Sequence, residues 1–237
     1  TILFDVETEF STLCTVEGKP KKATDDPKKV CYSPEEYDGE FPGPMTVRTA
    51  LAHSRNVPAV KALYLTGISK ALQTAKDMGI TTFTDPDRYG LTLVLGGGEV
   101  SLLELTSAYG VFANDGIRNP YRSVLEVWDG ETSLEKSMTR PSQAMPSDIT
   151  RQISDILSDN AVRMNSLKPI ADSIGRPVAI KTGTTNDYRD VWTLGYTPNL
   201  VVGAWAGKND NTPMQRNVAG LIISPVWGAF MSQAVAD

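Results

Sequence analysis

The chain has 237 residues, 41% hydrophobic and 22% charged, with a net charge of −5. That suffices for one large domain or two small ones with a real core, and the acidic balance argues against nucleic acid as the main partner. No apolar run approaches the roughly 20 residues of a membrane helix, and no signal peptide is visible. The first residue is Thr1 rather than Met, followed at once by Ile2, Leu3 and Phe4. This start reads as a cut, with any export signal or anchor expected upstream.

Residues 1–45 are rich in Pro, Gly and charge and predict irregular structure, with turns at Gly39, Pro42, Gly43 and Pro44. The only two cysteines, Cys14 and Cys31, bracket a polar Lys/Pro/Asp-rich loop. That pattern suits a disulfide in an oxidising compartment. Two thiols and one histidine make a poor zinc set. Thr46 is a helix N-cap ahead of Val47–Ala52, Pro58 opens a second helix ended by Gly67, and Ser69 caps a third over Lys70–Met78, closed by Gly79.

Leu95-Gly96-Gly97-Gly98-Glu99-Val100 is a glycine-rich turn, not a phosphate loop, because no Gly-Lys-Ser/Thr follows. Ser101-Leu102-Leu103-Glu104 is a capping box opening a helix to Ala113, which Asn114-Asp115-Gly116 stops. Arg122–Trp128 alternates as a strand before a hairpin turn at Asp129-Gly130. Ser147–Ser158 is an amphipathic helix with Ile149, Ile153, Ile156 and Leu157 on one face. Three strands follow, at Pro177–Lys181, Val191–Thr197 and Leu200–Ala206, the last two joined by a tight turn at Pro198-Asn199, and a closing helix spans Pro225–Val235. With no internal repeat, the expected architecture is one α+β unit, its helical part at about 46–160 and its sheet-rich part at about 177–237.

The chemistry-bearing residues fall in two places. The run Ala179-Ile180-Lys181-Thr182-Gly183-Thr184-Thr185-Asn186-Asp187-Tyr188-Arg189-Asp190 begins as a buried strand and ends as a polar loop. A cation, two hydroxyls and a glycine at that junction can hold a substrate carboxylate against a strand edge, and Gly183 hints at close backbone approach by a ligand. Far upstream, Ser54-Arg55-Asn56 sits between two helices; alone it fits helix punctuation as well as catalysis. His53 adjoins Ser54, but neighbours on a helix point different ways, so a Ser–His pair is not expected. Trp192 and Trp205 are expected in the core.

Taken together these stretches resemble the transpeptidase domain of class A penicillin-binding proteins. The resemblance is carried by Tyr37-Asp38-Gly39 with Gly43-Pro44, Arg48-Thr49-Ala50-Leu51-Ala52, Ser54-Arg55-Asn56-Val57-Pro58-Ala59-Val60, Leu95-Gly96-Gly97-Gly98-Glu99-Val100, the Lys181–Asp190 run, and Asp210-Asn211-Thr212-Pro213-Met214. Lys-Thr-Gly is one of the signatures of serine acyl-transfer enzymes that include β-lactamases. The resemblance implies an α+β fold of the penicillin-binding-protein and serine β-lactamase type: an antiparallel sheet, flanking helices and a mostly helical subdomain. All of residues 1–237 would then be one transpeptidase domain, incomplete at its N-terminus.

The implied activity is acyl transfer on D-Ala-D-Ala stem peptides, the cross-linking step of the cell wall and the target of β-lactams. Its catalytic residues here would be Ser54, as proton relay, with Asn56 and Lys181; Thr182, Gly183 and Thr184 would bind substrate. No cofactor and no metal are implied. Implied partners are peptidoglycan stem peptides, β-lactam antibiotics and an upstream glycosyltransferase domain, on the outer face of the cytoplasmic membrane. Other readings of the same motifs are a D,D-carboxypeptidase, a serine β-lactamase or a non-catalytic β-lactam-binding module. One departure matters. The family's nucleophile belongs to a Ser-x-x-Lys motif ahead of the Ser-x-Asn loop, yet Ser11 is followed three residues later by Cys14 and Ser33 by Glu36. The motif is expected upstream of Thr1, and this chain by itself is expected to be inactive. The middle position of Ser54-Arg55-Asn56 is Arg rather than Asp, a departure that puts little of this resemblance in doubt.

Overall fold

A computed structural model describes residues 1–136, 138–185, 188–214 and 222–236. In chain order its elements are β1 (Ile2–Asp5), α1 (Pro27–Val30), β2 (Gly43–Thr46), α2 (Val47–Ala52), α3 (Asn56–Thr66), α4 (Ile68–Asp77), α5 (Leu102–Ala113), β3 (Ile117–Arg118), β4 (Glu126–Asp129), β5 (Thr132–Lys136), β6 (Ser142–Gln143), α6 (Ser147–Ser158), α7 (Lys168–Ser173), β7 (Ala179–Thr184), β8 (Asp190–Thr197), β9 (Leu200–Gly207) and α8 (Ser224–Ala234). Short 3₁₀ turns lie at Pro86–Arg88 and Leu91–Leu95. This is the expected α+β class.

The central sheet is antiparallel in the order β7-β8-β9. Thr197 pairs with Leu200, so Pro198-Asn199 makes the two-residue turn. Side chains alternate between sheet faces. Ile180, opposite Gly195, faces α7 and α8, where Val178, Leu167, Ile174, Trp227 and Met231 form one core. Ala179, opposite Tyr196, faces the other way onto Leu157 of α6, with Tyr109 and Phe112 of α5 beside them. Gly195 is required by packing: a Cβ there would lie 2.4 Å from the Trp227 ring and 2.5 Å from the Ala179 carbonyl. The alternation also fixes where Lys181 points. Two residues beyond Ala179, it faces the helical part.

Several local expectations are corrected. Residues 1–45 are not wholly irregular: Ile2–Asp5 pairs antiparallel with Gly43–Thr46, and a short helix forms at Pro27–Val30. The pairing hides in the sequence because its strands are far apart and Pro44 argues against a strand. Gly67, at φ +85°, ends α3 and also starts α4, so Ser69 lies inside the first turn rather than capping it. Ser101 does accept from the Glu104 amide, but the Glu104 carboxylate accepts from the Thr81 N–H and hydroxyl. Tertiary contact takes the second half of the capping box. The expected strand Arg122–Trp128 forms only over Glu126–Asp129. On α6, Leu157 and Thr150 are buried, but Ile149 is 42% exposed.

Cys14 and Cys31 are joined as a disulfide, with Cα atoms 5.6 Å apart. Glu9 secures the same region: its carboxylate accepts from the amides of Ser11 and Tyr32 and the Ser33 hydroxyl.

Candidate active site

Ser54 stands at the junction of α2 and α3. The α2 helix begins at its expected cap, Thr46, whose hydroxyl accepts from the Thr49 amide. After Ala52 the chain turns sharply: the Ser54 amide donates to the Leu51 carbonyl and the Arg55 amide to the Ala50 carbonyl. Ser54 takes a left-handed backbone, φ +57°, uncommon for a residue with a Cβ. The turn reverses the chain, and α3 starts at Asn56.

The fold brings Ser54 and Lys181 together across 127 residues of chain. The Lys181 ammonium donates to Ser54 Oγ at 2.6 Å and to the Thr182 carbonyl at 2.7 Å. The ammonium is withdrawn from solvent, and desolvation lowers its pKa from 10.5 to about 8. The cation is therefore held near the edge of its charged range, beside a hydroxyl that it orients.

These groups open onto a cleft of about 730 Å³. One wall is Lys181–Thr184 of β7 and the following Thr185, with Trp192 behind; another is Ser54–Asn56 and α3; a third is the glycine-rich turn at Gly96, Gly98 and Glu99. Leu51, Leu63, Leu105 and Tyr109 give it an apolar floor. Among the described residues β7 pairs with a strand on its β8 side alone, so its other edge keeps strand-edge donors and acceptors for an extended ligand. Ser54, Asn56, Lys181, Thr182, Gly183 and Thr184 all line this one cleft. The Asn56 side-chain amide donates to the Glu35 carbonyl at 2.7 Å.

Gly183 differs from the packing glycines. A Cβ there would meet only the Trp192 Cβ, at 3.6 Å, an ordinary contact. Nothing in the fold demands glycine at this point, which is consistent with the space being kept for a ligand. By contrast Gly97 and Gly98 of the glycine-rich turn abut Thr92, Phe83 and Leu93 within 3 Å. They let that turn pack tightly.

Past Thr184 the polar run closes the hairpin. Thr185 and Asp190 exchange backbone and side-chain hydrogen bonds, and Trp205 Nε1 donates to Asp190 Oδ1 at 2.9 Å. Asn186 and Asp187 lie outside the described residues. His53 ends α2 and does not line the cleft. Trp192 and Trp205 are not in the core: Trp192 lines the cleft and Trp205 is 37% exposed. The buried tryptophan is Trp227, at the far face of the sheet, because Gly195 leaves room for its ring.

The sequence reading attaches little to Arg55, yet the structure makes it the centre of a buried ion cluster. Its Nε donates to Asp5 Oδ2 at 2.6 Å and one terminal nitrogen to Asp38 Oδ2 at 2.7 Å; the other bonds the Glu40 carbonyl. Glu36 lies 3.4 Å away and caps α3 by accepting from the Asn56 and Val57 amides. Burial opposes the charge, but the hydrogen bonds with Asp38 and Asp5 outweigh it and raise the guanidinium pKa above its ordinary value. The signal was present as an Asp, a Glu and an Asp in an otherwise loose N-terminal segment. Without the fold they read as solvated charges.

Ser133 and Lys136 are the one Ser-x-x-Lys pair in the chain. They sit on the exposed strand β5, away from the cleft lining, and the Ser133 hydroxyl donates to Glu126. Three residues apart on a strand, they point to opposite faces.

Comparison with known proteins identifies the family. The family model described as the penicillin binding protein transpeptidase domain matches residues 17–217. Penicillin-binding protein 1A of Aquifex aeolicus (strain VF5) is 33% identical over 224 residues, which is 94% of this chain and 30% of that protein. Penicillin-binding protein 1A of Neisseria lactamica is 31% identical over 216 residues, covering 88% and 27%. The crystal structure of penicillin-binding protein 1A from Haemophilus influenzae superposes with a TM-score of 0.82 at 21% identity, over 100% of this chain and 39% of that one. PonA1 from Mycobacterium tuberculosis, solved with penicillin V, gives 0.70 at 21% identity, over 86% and 60%. The chain thus spans about 30% of the length of curated relatives it matches, and it belongs to the penicillin-binding protein transpeptidase domain family.

Proposed function

We propose that this chain forms most of the substrate-binding cleft of a peptidoglycan D,D-transpeptidase. The observation that carries the reading is the 2.6 Å contact between Lys181 and Ser54 on the wall of a cleft edged by β7. A serine supplied by a Ser-x-x-Lys motif upstream of Thr1 attacks the carbonyl of a D-Ala-D-Ala stem peptide, and its lysine takes the proton. D-Ala leaves, and an amine on a neighbouring strand resolves the acyl-enzyme into a cross-link. Covalent catalysis of this kind divides one difficult step into two.

Each retained residue has a role in that sequence. Ser54 relays a proton to the departing nitrogen, and Lys181 supplies positive potential to Ser54 and to the substrate carboxylate. Asn56 hydrogen-bonds the substrate's side amide. The Thr182 and Thr184 hydroxyls hold the carboxylate, and the Thr184 amide is one oxyanion donor, in the kind of preorganised arrangement that contributes most to acyl transfer. Gly183 lets the peptide lie against β7. All of residues 1–237 serve as one domain in this reading, next to a glycosyltransferase domain in the whole protein and on the outer face of the cytoplasmic membrane. In this reading β-lactams acylate the upstream serine; PonA1 itself has been solved in complex with penicillin V.

The test is labelling with a fluorescent penicillin. The chain as given takes no label, whereas the same chain extended upstream through Ser-x-x-Lys labels stoichiometrically. Stable labelling of the unextended chain, or none of the extended one, refutes the reading. An acyl-enzyme released by water without cross-linking points to a carboxypeptidase or β-lactamase instead.

Gly183→Ala separates ligand space from fold. The open space around Gly183 predicts an unfolding midpoint close to wild type, a change within about 0.5 kcal/mol. Acylation of the extended chain slows at least roughly tenfold, because the methyl stands where the substrate backbone approaches. Thermal melts and labelling rates on the same preparation check both halves.

A further inference from the structure

The carboxylates around Arg55 come from outside the helices that carry the site. Asp5 ends β1, and Glu36, Asp38 and Glu40 lie in the segment leading to β2. Asp5, Glu36 and Arg55 are all buried. The Tyr37 ring covers the guanidinium at 5.4 Å, and Lys61 of α3 donates to the Phe4 carbonyl beside Asp5. A cation this enclosed fixes the position of its own backbone, because moving it would strand several charges at once.

That backbone is the residue next to Ser54. Ser54 holds a left-handed conformation that a serine keeps only when its surroundings over-determine it. The surroundings here are two-sided. Behind the turn, the carbonyls of Leu51 and Ala50 fix the amides of Ser54 and Arg55; ahead of it, Glu36 fixes the amides of Asn56 and Val57. Arg55 joins the two halves through its side chain. We infer that Arg55 is a positioning residue: clamped by Asp5, Asp38 and the Glu40 carbonyl, it locks the Ser54 turn so that the Ser54 hydroxyl stays on Lys181.

The three-way grip explains arginine rather than lysine. Nε and the two terminal nitrogens donate in three fixed directions within one plane, which an ammonium on a flexible stem does not reproduce. Residues 5 and 36–40 are thus part of the site's architecture although none of their carboxylates faces the reacting groups. The inference rests on the acyl-transfer reading for its effect on rate, and on the geometry alone for its effect on Ser54.

The experiment uses the upstream-extended protein and a fluorescent penicillin, with Arg55→Lys, Asp38→Asn, Ser54→Ala and the double variants. Arg55→Lys should lower the acylation rate constant roughly 10- to 100-fold, as a small misplacement of a catalytic group does, and Asp38→Asn a few-fold. Neither should slow Ser54→Ala further, because both act through the Ser54 hydroxyl. Asp38 is the half-exposed partner, so its variant folds even if the buried substitutions do not, and it decides the matter alone. A wild-type rate in Arg55→Lys or Asp38→Asn, or losses that multiply with Ser54→Ala, overturns the inference. A second readout needs no chemistry: nitrogen NMR of Lys181 Nζ in the chain as given. Its protons should exchange with water roughly tenfold faster in Asp38→Asn or Arg55→Lys than in wild type, and unchanged exchange also overturns the inference. If the extended wild-type protein takes no label, the acyl-transfer reading falls, and the NMR arm still tests the positioning.

Discussion

In the chain extended upstream through the proposed nucleophile, Lys181→Ala is expected to slow acylation by penicillin at least roughly a hundredfold, the scale on which a positioned proton-transfer group contributes. The variant removes the ammonium that donates to Ser54 at 2.6 Å. It leaves that hydroxyl oriented by its turn alone and strips positive potential from the cleft wall. Labelling time courses give the rate constant directly; a rate within twofold of wild type would show that Lys181 is a packing residue. The same side chain predicts a pH signature. Its folded pKa of about 8 lies below the ordinary 10.5, so between those values the unfolded chain holds a proton that the folded chain has released. Stability therefore rises with pH across that window, by up to about 3 kcal/mol, and the cost of enclosing the charge is present in full below pH 8. Urea unfolding of wild type against Lys181→Met at pH 7.5 and pH 10 reads it. The difference should move in favour of wild type at the higher pH, and a constant difference would mean that the ammonium remains hydrated.

Trp227→Ala is expected to be the most damaging single change to the fold, lowering unfolding free energy by about 3–5 kcal/mol. Trp227 is 1% exposed, fills the space above Gly195 and donates its indole N–H to the Val202 carbonyl at 3.0 Å. Truncation opens a cavity under β8 and leaves the Val202 carbonyl without that donor. Because Gly195 pairs with Ile180, one residue before Lys181, the cavity also loosens the strand that carries the cation. Chemical denaturation checks the size of the loss, and Trp205→Ala serves as the comparison. Trp205 is 37% exposed and should cost clearly less, so equal losses would contradict the assignment of the core.

Much of this was legible from residue types in order. The helix over Ser147–Ser158 and the strand–turn–strand around Pro198-Asn199 follow from local patterning, and the structure has them. The cap at Thr46 and the helix from Ser101 to Ala113 were equally plain, because a cap hydroxyl needs only an amide three residues on. What misled was whatever depended on distant partners. The pairing of β1 with β2 spans the whole N-terminal segment, Ser69 lost its cap role to a glycine bend, and Glu104 left its own helix end for Thr81. Trp192 and Trp205 have the alternation of core residues, but the sheet turns their positions toward the cleft and the surface.

The sequence by itself determined the chemical vocabulary of the site: a Ser-x-Asn turn, a Lys-Thr-Gly strand and a glycine-rich turn, all in short stretches whose identity survives without knowledge of the fold. It also determined that no Ser-x-x-Lys precedes Ser54. Only the tertiary structure decided that Ser54 and Lys181 share a hydrogen bond, since strand alternation and a left-handed turn must both be right for two side chains so far apart to meet. Only it could show what Arg55 does. A buried charge declares itself through the carboxylates that surround it, and those come from residues 5, 36 and 38, which no local pattern connects to the turn they hold.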